Sequence, residues 1–404
     1  MKHLTPKIAS VLLVLATLLL LTGCSVRENR LPDSVYGGKW DTSHCQGIAV
    51  DDSMEYMYFS FTTKLVKVDL STGEVVGTVS GWSGHLGDLA YYNGKVYGSL
   101  EYYYPIGSFY AAVFDCDQIA GDTEHTSCMT TMYLSEVNYD YTHQLGRHWS
   151  IEEEPSSKGH AYGCSGIDGI AFGTIPGDTS GKIVMMVNYG VYKNRMREDN
   201  NYQIMLQYDP DDFLGADGEI LPDCGDILDQ SNYHAKGPEH SMKYFIYTGN
   251  TNYGVQNLEY DSTSGNYLMA VYEGNKVDFP NYSVFYVDGA KAPVYETLNL
   301  GDRQKIYSQL TGSDGTAAMD CGYVLSLAEI GRQDPDTGIW GSNETGADMN
   351  TGVAHLYDDY FYITTSDSTS DDLETATADL YLYNRAKDQW IPCRSLRGRL
   401  MELF

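Results

Sequence analysis

The stretch Gln46-Gly47-Ile48-Ala49-Val50-Asp51, with the three runs that follow it, decides the fold. Those runs are Tyr56-Met57-Tyr58-Phe59-Ser60-Phe61, Lys64-Leu65-Val66-Lys67-Val68-Asp69 and Val75-Val76-Gly77-Thr78-Val79. Each is short and rich in β-branched and aromatic residues, and turn residues at Asp52-Ser53 and Ser71-Thr72-Gly73 separate them, so they read as antiparallel strands joined by tight turns. Four such strands make one propeller blade.

Working outward, segments like the first recur at Leu86-Gly87-Asp88-Leu89-Ala90-Tyr91, Ser165-Gly166-Ile167-Asp168-Gly169-Ile170, Gly254-Val255-Gln256-Asn257-Leu258-Glu259-Tyr260 and Gly352-Val353-Ala354-His355-Leu356-Tyr357. Each opens a further series of strand-like runs, the second through an Asn93-Gly94 hairpin turn. The starts lie about 40 residues apart for the first pair and about 80 to 100 thereafter, so long insertions decorate four-stranded antiparallel blades. The widest gap leaves room for a further blade around Gly322-Tyr323-Val324-Leu325-Ser326-Leu327. The expectation is an all-β chain folded as a six-bladed β-propeller in which five blades are clear. Either Trp390-Ile391-Pro392 or Val35 to Trp40 is expected to supply the outer strand of the last blade.

Composition narrows the function classes. The chain has 404 residues, 26 Lys+Arg against 55 Asp+Glu, a net charge of -29 and 13% aromatic residues, 35 of them Tyr. It is too apolar for disorder and too acidic for a nucleic-acid binder. Lys2 and Lys7 precede an apolar run from Ile8 to Leu21, at about 14 residues too short to span a bilayer, which ends in Leu21-Thr22-Gly23-Cys24. Residues 1–23 therefore read as a signal peptide, 24–38 as a tether and 39–404 as a single propeller domain.

Seven further cysteines follow Cys24: Cys45, Cys116, Cys128, Cys164, Cys224, Cys321 and Cys393. In an oxidising compartment most should pair, and Cys116 with Cys128, bracketing a polar loop, is the expected local disulfide. Cys45, Cys164 and Cys321 precede blade-like segments by similar offsets and are expected around one mouth. No Cys-x-x-Cys pair, EF-hand loop, Gly-x-Ser-x-Gly elbow or phosphate-cradling loop is present. The acids from Asp209 to Glu219 and the run Glu152-Glu153-Glu154 read as solvated loops.

Leu21-Thr22-Gly23-Cys24 resembles the bacterial lipobox, which implies acylation of Cys24 and anchoring of the chain in a lipid bilayer outside the cytoplasm. The blade-start segments, with Gly84-His85-Leu86-Gly87, Tyr253-Gly254-Val255-Gln256-Asn257-Leu258-Glu259-Tyr260 and Thr337-Gly338-Ile339-Trp340-Gly341, resemble bacterial surface propeller lipoproteins of unassigned function. That resemblance implies a fold and no activity. A likeness confined to the blade-start pattern is to metal-dependent propeller hydrolases of the gluconolactonase and calcium-activated apyrase families.

Function in a propeller gathers where the inner strands converge on the central channel. Aligning the segments brings His44, Gln46, His85, Asp88, Ser165, Asp168, Gln256, Asn257, Glu259, Asn350 and His355 toward it. Asp88, Asp168 and Glu259, with Asn257, make an oxygen-rich set suited to Ca²⁺ or Mg²⁺, and His44 with His85 would shift it toward a transition metal. Trp82 and Trp340, with glycine neighbours, are candidate platforms for a sugar ring. Tyr102 to Tyr104, Tyr139, Tyr141, Tyr189, Tyr192, Tyr244, Tyr247 and Tyr253 are candidates for core filling or for stacking.

Two readings follow. In the first, a lipid-anchored surface propeller binds a carbohydrate or other polar small ligand through Trp82, Asp88, Gln256, Asn257 and Trp340. In the second, a metal-dependent hydrolase or lyase uses a cation on Asp88, Asp168 and Glu259, with His85 or His355 as general base.

Overall fold

The computed structural model describes residues 31–102, 107–144, 147–148, 161–191, 200–225, 237–249, 251–300, 321–343 and 349–394. The signal and lipobox residues, Tyr103, Tyr104, Tyr192, Glu152-Glu153-Glu154 and the side chains of Ser165 and Tyr253 lie outside the described residues.

Five antiparallel blades form the propeller, and each of the five recurring segments supplies an innermost strand: Cys45–Val50, His85–Tyr92, Cys164–Thr174, Asn252–Asp261 and Val353–Tyr357. These five strands pack in sequence, the last against the first, and so enclose the channel. Five apolar clusters fill the five blade-to-blade interfaces. Tyr58 and Leu65 of the first blade meet Leu86 and Leu100 of the second. Tyr97 and Phe109 meet Ile170 and Met185, and Met186 meets Leu258 and Tyr267. Leu268 and Tyr286 meet Phe361 and Tyr383, and Tyr362 closes the ring on Ile48 and Phe59. Burial of such side chains is worth about 1.5–3 kcal/mol each, and it is the main attraction between blades, whose backbone hydrogen bonds run within each sheet. Tyr58, Tyr97, Tyr189, Tyr208, Tyr244, Tyr267, Tyr362 and Tyr383 are all fully buried, so much of the tyrosine content is core.

Among the described residues the expected sixth blade is not formed. Cys321–Leu325 runs parallel to Met242–Tyr247 on the outer part of the third blade, and Val294–Thr297 pairs beyond it. Its pattern explains the placement: Cys321 and Tyr323 are exposed on one face while Gly322 between them is buried on the other, as in a half-covered strand. An inner strand such as Cys45–Val50 is buried at five successive positions.

Both candidate strands complete the last blade. The long strand Glu374–Asn384 takes Ser34–Trp40 along its first half, from Trp40 opposite Glu374 to Ser34 opposite Asp379, and Gln389–Pro392 along its second half. Ser34 to Gly38, expected in the tether, therefore belong to the propeller, and Tyr362 donates to the carbonyl of Pro32 just before them.

None of the seven described cysteines forms a disulfide, which corrects the expected Cys116–Cys128 pair. The Cys116 and Cys128 thiols turn to different carbonyls, those of Phe114 and Glu124. Cys45 and Cys164 open inner strands, whereas Cys321 sits exposed on the outer part of the third blade, so the three do not share a mouth.

Candidate functional site

Four of the five inner strands carry a β-bulge at the same level. The register skips at Gln46, across Gly87-Asp88, at Asp168 and at Gln256. A bulge inserts an unpaired residue and re-aims its side chain. The bulge residues are the ones the repeated segments bring together.

Asp88 lies inside this ring, 1% exposed, and its carboxylate accepts from the amides of Leu89 (2.9 Å), Ile170 (3.0 Å) and Leu258 (2.8 Å). It thereby ties the second, third and fourth blades. Asn257, fully buried, donates its amide to the carbonyls of Gln46 and Asn350, each at 3.1 Å, tying the fourth blade to the first and fifth. These two side chains make a hydrogen-bonded hub that touches every blade. Burial pushes the Asp88 carboxyl well above the usual range, and the three amide donors act against that push.

At the end of the channel where the inner strands begin, His85 Nδ1 lies 3.4 Å from Glu101 Oε1 and 3.7 Å from Asp168 Oδ1. Glu101 is only 1% exposed and comes from the second strand of its blade, Lys95–Tyr102, directly opposite His85. The amide of Ile167 donates to Glu101 Oε2 at 3.0 Å, and Gln256 donates to Asp168 Oδ2 at 3.3 Å. Gln46 and His44 bond each other at 2.7 Å nearby, and His85 helps to hold the His44 pKa down, after burial, which is the larger cause. For His85, burial opposes the charged ring, but the bond to Glu101 and the charges of Asp168 and Glu101 outweigh it and lift its pKa to about 9. Asp168 is pushed well up by burial and by Glu101, against the pull of His85. Asp168 Oδ1 and Gln46 Oε1 are buried without hydrogen-bond partners. This mouth draws on four blades.

The opposite end holds Glu259 and His355, which border a cavity of about 140 Å³ together with Asp52, Tyr91 and Phe172. Glu259 accepts from the backbone amide of His355 at 3.1 Å, and burial raises its carboxyl to about 8. The His355 ring contacts the carbonyl of Asp358 at 3.1 Å and Asp261 at 3.5 Å, and burial lowers its pKa. Arg385 pairs with Asp261 and Asp359.

The expected donor set of Asp88, Asp168 and Glu259 is thus not one cluster. Among the described residues, His85, Glu101 and Asp168 are the group of three His, Cys, Asp or Glu donors lying within 4.8 Å of one another. Of the expected bases, His85 joins that group and His355 lies at the other end. The two tryptophans do not flank the mouth. Trp82 is 5% exposed, packs on Phe114 and donates to the carbonyl of Thr62 at 3.2 Å. Trp340 pairs with Gln333 in a short ribbon beside Val284–Val287, the outer strand of the fourth blade. Gln256 stands in the site as expected. Glu101 is the residue that the repeat alignment passes over, since it is not on an inner strand; an acid in the buried run Lys95–Tyr102 is its sequence signal.

No protein-family model and no curated protein matches the chain. Solved structures similar to it include the pyranose dehydrogenase PQQ domain from Coprinopsis cinerea, at 14% identity and a TM-score of 0.37, covering 84% of this chain and 82% of that one. The Cps50 (Swd1) β-propeller domain from Myceliophteria thermophila matches at 10% identity and 0.32, covering 88% and 87%. A GH43_1 enzyme from Xanthomonas citri matches at 10% and 0.35, covering 88% and 92%.

Proposed function

We propose that this chain is a bacterial lipid-anchored propeller, held through acylated Cys24 on the outer side of a membrane, that binds a carbohydrate or other polyol at the mouth built by His44, Gln46, His85, Asp168 and Gln256. The observation that carries the reading is the pair of buried, unpartnered acceptors, Gln46 Oε1 and Asp168 Oδ1, on bulge residues of separate blades. Native proteins rarely leave such atoms without a donor, and the hydroxyls of a polyol supply donors. With Trp82 and Trp340 placed elsewhere, recognition rests on hydrogen bonds rather than on stacking against those rings. The net charge of -29 disfavours anionic glycans and favours neutral or cationic ones.

The test is a glycan array followed by calorimetry on the full chain in detergent. Binding of a neutral or cationic glycan that weakens about tenfold or more in Gln256→Ala is expected, from loss of a buried polar partner and its grip on Asp168. A folded chain that binds no glycan across the array, or binds one equally well as Gln256→Ala, refutes the reading.

A further inference from the structure

His85, Glu101 and Asp168 are spaced as a coordination shell. Two ligand atoms each about 2.1 Å from a tetrahedral metal ion stand about 3.4 Å apart. The separations from His85 Nδ1 are 3.4 Å to Glu101 Oε1 and 3.7 Å to Asp168 Oδ1. Each carboxylate is steered from behind, Glu101 Oε2 by the Ile167 amide and Asp168 Oδ2 by Gln256, so that its other oxygen faces the imidazole. Orientation of first ligands by such outer bonds is a regular feature of metal sites.

A separate observation points to something held there. Ser99 is 1% exposed and its hydroxyl is unpartnered. A Cβ on Gly87 would stand 2.5 Å from Ser99 Oγ and 2.6 Å from Asp168 Oδ1, so the hydroxyl and the unpartnered carboxylate oxygen face one small space that the missing side chain keeps open. Gly166, at φ +134°, lets Glu101 Oε2 come close to its own backbone, where a Cβ would collide with it, and so helps to hold that carboxylate in place.

We propose that His85, Glu101 and Asp168 bind a divalent first-row transition-metal ion of the Zn²⁺ or Mn²⁺ class. One imidazole with two carboxylates suits these ions, whereas Ca²⁺ takes six to eight oxygens and finds too few here. Three protein ligands leave a coordination position open to water or to a ligand oxygen. The inference deepens the reading of this mouth as ligand-facing and rests on it: the ion would fix an oxygen of the bound ligand.

The test uses the full chain, stripped with chelator and dialysed against Zn²⁺ alone or Mn²⁺ alone, with metal content read by elemental analysis. About one ion per chain is expected, with affinity about tenfold or more weaker in Asp168→Asn, which retains an acceptor for Gln256. A measurement on the unmodified chain accompanies it: bound metal should protect His85 from acylation by diethylpyrocarbonate, read by mass spectrometry. No stoichiometric uptake by the folded chain overturns the proposal. So does uptake that is unchanged in Asp168→Asn, or that leaves His85 fully reactive. Uptake is read with no glycan present, so its failure leaves glycan binding standing, and a chain that takes up one ion yet binds no glycan removes only the earlier reading.

Discussion

The two ends of the channel contain the same residue types and treat them differently. Where the inner strands finish, Asp261 accepts from Arg385, from Ser264 and from the amide of Thr263, and His355 sits against the Asp358 carbonyl. Where they begin, two carboxylates share one histidine, and Asp168 Oδ1, Ser99 Oγ and Gln46 Oε1 make no hydrogen bond. A buried polar network that is fully satisfied rigidifies a fold, while one left partly open is costly unless something else completes it. The difference separates structure from site better than residue type does.

The largest expected effect lies between the two ends, at the hub. Asp88→Ala leaves three amides from three blades without their acceptor, and each buried orphan costs about 1–3 kcal/mol, so a loss of about 4 kcal/mol is expected in chemical denaturation. A loss under about 1 kcal/mol would mean that the hub does not hold the ring. Next comes the satisfied end: Arg385→Met strips the buried Asp261 carboxylate of its cation and should cost about 3 kcal/mol by the same measurement.

Much of the ring was legible and part of the site was not, for a reason visible in one hairpin. The repeated segments name all five inner strands because such strands are buried on both faces and tolerate few residue types. Reading outward from the Asn93-Gly94 turn without a bulge sets Leu86 opposite Glu101. The bulge at Gly87-Asp88 moves the register by one and sets His85 there instead. Period-two reasoning has no means of seeing that slip. The sixth blade failed similarly, because Cys321–Leu325 has the composition of a strand and only the exposure of Cys321 and Tyr323 shows that it belongs outside. Trp340 carried a glycine neighbour suited to a ligand platform, but that glycine serves packing: a Cβ on Gly341 would collide with Tyr282.

A third prediction concerns pH. Burial raises the Glu259 carboxyl from the ordinary glutamate range to about 8 in the fold, so it favours the native state below its unfolded pKa, and that contribution is lost as pH rises through about 8. His85, raised to about 9, loses its contribution in the same direction at higher pH. Glu259→Gln keeps an acceptor for the His355 amide and cannot ionise. Between about pH 5 and about pH 9 its stability should fall measurably less than that of the unmodified chain. Parallel stability profiles for the two proteins would show that Glu259 is ionised in the fold at little cost.

The smallest expected effect is the one that bears most directly on the contrast. Asp168→Asn retains an oxygen for Gln256, removes a negative charge beside Glu101 and breaks no backbone tie, so its stability should lie within about 1 kcal/mol of the unmodified chain. Arg385→Met, at the other end, gives up a cation that its partner needs. If Asp168→Asn instead cost about 3 kcal/mol or more in chemical denaturation, the His85 mouth would be as structural as the far end. The open acceptors would then be a packing compromise, and the case for a ligand there would lose its physical basis.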